Sequence, residues 1–169
     1  MLPLMPAESA SLDALATSLG VKSKDLLVLI NFESGWNPDA RNAITVARGL
    51  IQFMPDTARS LGFTSADELV EKYPTRQAQL DGPVRQYFQR LKPFSGSAQD
   101  LFMSVFYPAA RRWSLSTPFP APVQKSNPGI RTPLDYVQKA YAVAGLRYAA
   151  PIGAGLIAIV AILYFVLKK

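Results

Sequence analysis

The sequence has 169 residues, of which 49% are hydrophobic, and it carries a formal net charge of +6 without histidine or cysteine. The length suits one domain plus a tail, and the apolar fraction is sufficient for a packed core. Without histidine, Ser-His-Asp, Cys-His and His-based metal chemistry are excluded, so hydrolytic or lytic chemistry must use carboxylates, Lys, Tyr or hydroxyls. The positive charge favours anionic partners, but no basic run with interleaved aromatics occurs, so nucleic acid is not an expected partner.

The first nineteen residues contain no Lys or Arg and no long apolar run, so no cleaved secretory signal is expected. From Ala7 to about Trp113 the pattern is helical, and no alternating strand pattern competes with it. Capping residues, prolines, glycines and apolar spacing mark the individual helices. In chain order, the predicted helices cover 24–34, 55–61, 65–72, 84–91 and 98–107.

The composition changes after Trp113. Five prolines fall within residues 114–133, which predicts an extended connector over 114–132. Thr132 and Pro133 are a favourable cap and first residue for a further helix. We expect that helix to cover 133–148 as a juxtamembrane segment and to continue directly into a membrane span.

No charged residue occurs from Ala149 to Leu167. Nineteen helical residues reach about 28 Å, close to the hydrocarbon thickness of a bilayer. The predicted fold class is therefore an all-α domain over 1–113 plus one C-terminal transmembrane helix over 149–167, with the lipid bilayer as a partner. Small residues recur at 150, 154 and 158, which predicts at most weak self-association of that helix.

Glu33 is the acidic residue with the most informative surroundings. On the predicted helix it shares one apolar face with Leu26 and Ile30, so its carboxyl is expected to be partly desolvated. It also lies in the last turn, at the negative end of the helix dipole. Both effects raise the pKa of a carboxyl, as a general acid at neutral pH requires.

Glu33 begins the first of two short motifs, and the second motif follows shortly after it. The first is Glu33-Ser34-Gly35-Trp36-Asn37-Pro38, and the second is Gly49-Leu50-Ile51-Gln52-Phe53-Met54-Pro55, followed by Thr57-Ala58. In this order and near this spacing, they resemble the soluble lytic transglycosylase domain of the lysozyme-like superfamily, of the kind that bacteriophages carry. The resemblance implies a mainly α-helical, lysozyme-like domain that acts on bacterial peptidoglycan.

The resemblance also implies roles for individual residues. Glu33 falls at the catalytic acid and base. Substrate-binding positions fall at Ser34, Gly49, Gln52 and Met54. The implied reaction cleaves the bond between N-acetylmuramic acid and N-acetylglucosamine, gives a 1,6-anhydro product, and needs neither a metal nor a cofactor.

The chain departs from the family pattern in its downstream part. The family's Ala-Tyr-Asn-Ala-Gly block is missing, and the nearest positional equivalent is Val105-Phe106-Tyr107-Pro108-Ala109. In this alignment Phe106 replaces the aromatic residue and Tyr107 the asparagine, so both become candidate substrate-binding residues.

Other functions stay open at this point. Asp39, Asp56 or Asp81 folding close to Glu33 would allow hydrolysis by a goose-type lysozyme-like muramidase, because ordinary glycosidases use two carboxylates. A non-catalytic, membrane-anchored protein that binds the wall or builds a virion is a third interpretation. With no export signal, the preferred location is a phage virion membrane, and the alternative is a bacterial inner membrane with the domain in the periplasm.

Overall fold

A computed structural model describes residues 3–148 of the chain, and within this part the polypeptide forms nine α-helices. A π-helical turn at Leu80–Val84 precedes α6, and a 3-10 turn at Pro108–Ala110 follows α7. The helices are α1 (Pro6–Leu19), α2 (Ser23–Ser34), α3 (Pro55–Ser60), α4 (Ala66–Lys72), α5 (Arg76–Gln79), α6 (Arg85–Arg90), α7 (Ala98–Phe106), α8 (Ala121–Ser126) and α9 (Pro133–Val143).

Local capping signals account for the ends of several helices. Gly35 ends α2 in the left-handed conformation, with φ of 60°. The Ser65 side chain accepts a hydrogen bond from the Glu68 N–H at 3.0 Å at the start of α4. Thr132 and Asp135 form a capping box at the start of α9. The predicted positions of these three helix ends are confirmed.

Helix α2 is the centre of the domain, and α1, α7 and α9 pack around it. Its residues Leu26, Val28, Leu29 and Ile30 are completely buried, so the helix is enclosed on more than one face. Complete burial of four large side chains holds α2 rigidly in place. The last turn of this helix carries Glu33, whose position is therefore set by the core.

The chain after Trp113 differs from the expected extended connector and juxtamembrane helix. Phe119 and Ile130 are buried in the core, and α8 lies between them. On α9, the residues Tyr136, Val137, Ala140 and Tyr141 are buried against α2 and α7. They share one face of the helix because they are spaced by one, three and one residues, which gives α9 an apolar stripe that packs on the domain.

Helix α9 also ends earlier than expected. Its last residue is Val143, and Gly145 follows in the left-handed conformation with φ of 70°. The Leu146 N–H donates to the Tyr141 carbonyl at 2.8 Å, a bond typical of a glycine-terminated helix. The local sequence Ala144-Gly145 therefore stops the helix before residue 149.

The predicted membrane location requires a correction. Across residues 3–148, none of the helices combines the length and apolar character that a bilayer crossing demands. The predicted span at 149–167, with its small residues at 150, 154 and 158, lies outside the described residues. The fold class with a transmembrane helix and the single-pass membrane location are therefore wrong for the part of the chain that the structure describes. That part is mainly α-helical.

Candidate active site

Glu33 meets a side chain from the far end of the sequence. The Tyr136 hydroxyl on α9 donates a hydrogen bond to Oε1 of Glu33, across a separation of 103 residues. Tyr136 is buried, whereas Glu33 is half-buried at the end of α2. The packing of α9 on α2 thus supplies a fixed donor to one oxygen of the carboxyl group.

The environment of Glu33 disfavours its charged form. Burial raises the pKa of Glu33 to about 7 from an ordinary value of 4.5, and the hydrogen bond from Tyr136 acts in the opposite direction. No ion pair to Glu33 occurs within residues 3–148, while the buried Asp100 is paired with Arg111 at 2.6 Å. A carboxyl that is partly desolvated and lacks a cationic partner is suited to hold a proton near neutral pH.

Aromatic rings surround Tyr136, the hydrogen-bond partner of Glu33. Phe106 stacks on Tyr136 with ring centroids 4.3 Å apart and an interplanar angle of 27°. Phe32 and Phe102 contact the same tyrosine edge to face, at 5.1 Å and 6.2 Å. Such pairs hold a ring in one orientation. Phe106, one of the predicted substrate-binding residues, therefore packs on the tyrosine that hydrogen-bonds Glu33.

Tyr107 lies in a separate aromatic group. Its ring makes edge-to-face contacts with Trp113 at 5.8 Å and with Phe119 at 5.7 Å. Phe119 also contacts Phe106 at 5.4 Å, which connects this group to the ring stack on Tyr136. Tyr107 is half-buried. Its ring contacts are with Trp113 and Phe119, and none of its described ring contacts is with Tyr136.

The second motif forms a tight loop that Gln79 secures. Gln79 is completely buried; its side-chain oxygen accepts from the Leu50 N–H at 2.9 Å. Its amide nitrogen donates to the carbonyls of Pro38 at 2.8 Å and Tyr73 at 3.0 Å. One side chain thereby satisfies backbone groups from three segments, which keeps this loop in place beside the end of α2.

Gly49 is required by that arrangement. It is buried with φ of 76°, and a Cβ atom there would lie 2.7 Å from Oε1 of Gln79. A side chain would therefore displace Gln79 and strain the backbone as well. The close neighbour of Gly49 in the structure is Gln79, and the predicted contact of Gly49 with the glycan stays a prediction.

The remaining predicted residues show different degrees of exposure. Gln52 is half-buried with a positive φ of 53°, and its Nε2 donates to the Gly49 carbonyl at 3.1 Å. Met54 is 44% exposed, so its apolar side chain is accessible to a ligand. The Ser34 hydroxyl donates to the Ile30 carbonyl at 3.1 Å, one turn back along α2.

The three aspartates considered for a hydrolytic mechanism occupy other surroundings. Asp56 pairs with Arg59 on α3. Asp81 accepts from the Ser11 hydroxyl at 3.0 Å and lies 3.6 Å from Arg85. Asp39 is exposed in the turn after α2. Among the described residues no hydrogen bond joins any of these carboxylates to Glu33, and no group of three or more potential ligands could hold a metal ion.

Two tyrosines near Glu33, Tyr136 and Tyr87, are not predicted as site residues from the sequence. Tyr136 falls within a segment interpreted as a juxtamembrane helix. Tyr87 lies within the predicted helix over 84–91, where nothing in the sequence marks it as a neighbour of Glu33. Burial raises the pKa of Tyr87 to about 12, with Arg111 lowering it and the charge of Glu33 raising it. The apolar spacing on α9 was the one signal that could have placed Tyr136 in a packed interface.

Comparison with known families agrees with this part of the fold. Residues 12–78 match the sequence model of the family described as the Transglycosylase SLT domain. The match runs from the middle of α1 to most of α5, includes Glu33 and both motifs, and spans less than half of the chain. Neither a curated protein nor a solved structure matches the chain. Residues 12–78 are therefore similar to the Transglycosylase SLT domain.

Proposed function

We propose that this protein is a peptidoglycan lytic transglycosylase with Glu33 as its catalytic acid and base. The observation that carries the proposal is the half-buried Glu33 carboxyl with its pKa near 7, held by Tyr136. The SLT match over residues 12–78 supports the substrate class, the glycan strands of the bacterial wall. The phage setting depended on the predicted membrane span, so it is not part of the proposal.

Glu33 would act first as an acid. With its pKa raised to about 7 by burial, Glu33 retains its proton closer to neutral pH than an ordinary glutamate does. Because Tyr136 donates to Oε1, we assign the proton for transfer to Oε2. Transfer to the glycosidic oxygen breaks the bond between the muramoyl anomeric carbon and the leaving N-acetylglucosamine.

The carboxylate formed in this step would then act as a base. It accepts the proton of the muramoyl 6-hydroxyl, whose oxygen bonds to the anomeric carbon and closes a 1,6-anhydro ring. The proton given to the leaving sugar is thereby replaced on Glu33, so one carboxyl completes the cycle. The hydrogen bond from Tyr136 stabilises the intermediate charged form, because a donor lowers the pKa of the carboxylate it contacts.

Gln52, Met54 and Phe106 are proposed to contact the glycan. Gln52 adopts a left-handed conformation that costs about 1–2 kcal/mol for a residue other than glycine. Strain of this kind is concentrated at functional sites, since stability alone does not favour it. Met54 offers an exposed apolar surface on the same loop. Ser34 is proposed to support the last turn of α2 through its bond to Ile30.

Mass analysis of released glycan fragments tests the proposal. The purified protein is incubated with isolated peptidoglycan, and the products are compared with those of the Glu33→Gln variant. The expected result is muropeptides with 1,6-anhydromuramoyl ends, absent from the variant. Reducing ends without anhydro products would identify a hydrolase, and the absence of any glycan cleavage would refute enzymatic action on this substrate.

A further inference from the structure

A cavity of about 440 Å³ lies at the opposite end of α2 from Glu33. Lys24 in the first turn and Glu33 in the last are separated by about 14 Å along the helix. The volume falls within the range of about 300–1,000 Å³ that small-molecule sites occupy. The residues of interest in its wall are Lys22, Lys24, Asp25, Tyr141, Arg147 and Tyr148.

The wall is strongly basic. Lys22, Lys24 and Arg147 all line the cavity, and each side chain is exposed. Within residues 3–148 none of the three forms an ion pair, although eight other ion pairs occur there. Three cations without a carboxylate partner around one concave surface create a positive potential that attracts an anion.

The one acid in the wall is already engaged. Asp25 is buried, and the Tyr141 hydroxyl donates a hydrogen bond to its Oδ1. The Lys24 ammonium lies over the Tyr141 ring, 5.7 Å from its centroid, and not on the carboxylate. Asp25 therefore fixes the tyrosine and leaves the cations available to a ligand.

Two tyrosines give the cavity an aromatic side. The rings of Tyr141 and Tyr148 are 5.1 Å apart at an interplanar angle of 53°. Tyr148 is half-buried, so part of its ring is accessible. Aromatic walls with a few convergent charged groups are typical of sites for small ligands that combine an apolar face with a charged group.

We propose that this cavity binds the phosphate monoester of a sugar. At neutral pH a phosphate monoester carries about −1.5 to −2 charges and three acceptor oxygens, which suits three cations better than a single carboxylate does. The sugar ring lies against the accessible part of the Tyr148 ring, which the buried Tyr141 contacts. The proposal is independent of the proposed function, because none of the lining residues belongs to the candidate active site.

Isothermal titration calorimetry of the full-length protein tests this proposal. The probes are glucose 6-phosphate, inorganic phosphate and glucose, at low and at high salt. Glucose 6-phosphate should bind more tightly than inorganic phosphate, and added salt should weaken both. Glucose alone should show no heat of binding. Equal binding of glucose and glucose 6-phosphate would overturn the role of the cations, and equal binding of the two phosphates would overturn the role of the tyrosines.

Variants distinguish the cavity from the general positive charge of the protein. Lys22→Gln, Lys24→Gln and Arg147→Gln should each weaken glucose 6-phosphate binding by about tenfold, corresponding to about 1.4 kcal/mol. A matched control removes charges outside the cavity wall, with changes at three exposed residues: Lys92→Gln, Lys125→Gln and Arg131→Gln.

The controls should bind as the unmodified protein does, and so should Glu33→Gln. All the cavity changes are at exposed side chains, so circular dichroism should confirm an unchanged fold. Unaltered affinity in the three cavity variants, or an equal loss in the controls, would refute the site. Because Glu33→Gln separates binding from cleavage, failure of this proposal leaves the proposed enzymatic function untouched.

Discussion

The Glu33→Gln variant gives two linked results, one on cleavage and one on stability. The amide keeps the size of the side chain and its acceptor for the Tyr136 hydroxyl, but it has no proton to transfer. Loss of general acid catalysis costs about 10²–10⁴-fold in rate. Clearing of a peptidoglycan suspension, followed by turbidity, should therefore fall to the background rate.

The stability effect follows from the raised pKa. The folded protein holds the Glu33 proton up to about pH 7, whereas the ordinary value is 4.5. Ionisation in the folded state then costs about 3 kcal/mol as an upper limit. Because the side chain is only half-buried, solvent screening reduces this to about 1–2 kcal/mol.

The sign of the effect is set by the direction of the shift. Well below pH 4.5, Glu33 is neutral in both folded and unfolded chains, so its full contribution to stability is present. As the pH rises to about 7, the unfolded chain ionises first and wild-type stability declines. Glu33→Gln has no such decline, so its stability relative to wild type should increase over this interval and stay constant above it.

Urea unfolding monitored by tryptophan fluorescence measures this difference at about pH 4, 6 and 8. The matched control is Glu71→Gln, the same chemical change at an exposed position on α4. The control should clear peptidoglycan at the wild-type rate and keep the wild-type pH dependence. Wild-type clearing by Glu33→Gln would remove this residue from the mechanism. If Glu33→Gln loses activity but keeps the wild-type pH dependence of stability, the claim that burial raises the pKa of Glu33 is refuted.

Three further changes test the surroundings of Glu33. Tyr136→Phe should lower the rate by at least about tenfold, as expected for the loss of a hydrogen bond to a charged group. It should also move the alkaline limit of activity to higher pH, because the hydrogen bond that lowers the pKa of Glu33 is lost. An unchanged pH profile would contradict this. Gly49→Ala should destabilise the protein by about 2 kcal/mol in urea unfolding, since its Cβ would lie 2.7 Å from Gln79; lost activity at unchanged stability would instead assign Gly49 to glycan contact. A chain ending at Ser126 lacks α9 with its buried side chains, so it should show no cooperative unfolding by circular dichroism. A chain ending at residue 148 should unfold cooperatively. A cooperative transition in the shorter chain would place the domain boundary before α9.

Much of the local structure was predictable from short stretches of sequence. Gly35, Ser65 and Thr132 mark helix ends through backbone conformation and side-chain hydrogen bonds that involve only neighbouring residues. The apolar face around Glu33 is likewise a property of one helix. The expectation of a raised pKa at Glu33 followed from that face and agrees with the structure.

The partners of these residues depended on the tertiary structure. Tyr136 is 103 residues from Glu33, and Gln79 is 29 residues from Leu50. No local periodicity specifies which of the twelve acidic or seven tyrosine side chains will meet. The contact between Tyr136 and Glu33 forms because α9 buries its apolar stripe on α2, which brings the hydroxyl and the carboxyl together.

The prolines after Trp113 show the same division between local and tertiary information. Their number predicts an extended chain because proline restricts the backbone and removes a donor. Yet Phe119 and Ile130 are buried, and the Phe119 N–H donates to the Arg131 carbonyl at 2.8 Å. Composition therefore determined the local backbone preferences of this segment. Whether it packs on the domain was decided by the apolar surfaces of α2 and α7, since the free energy of burying its side chains is gained only when those surfaces are already assembled.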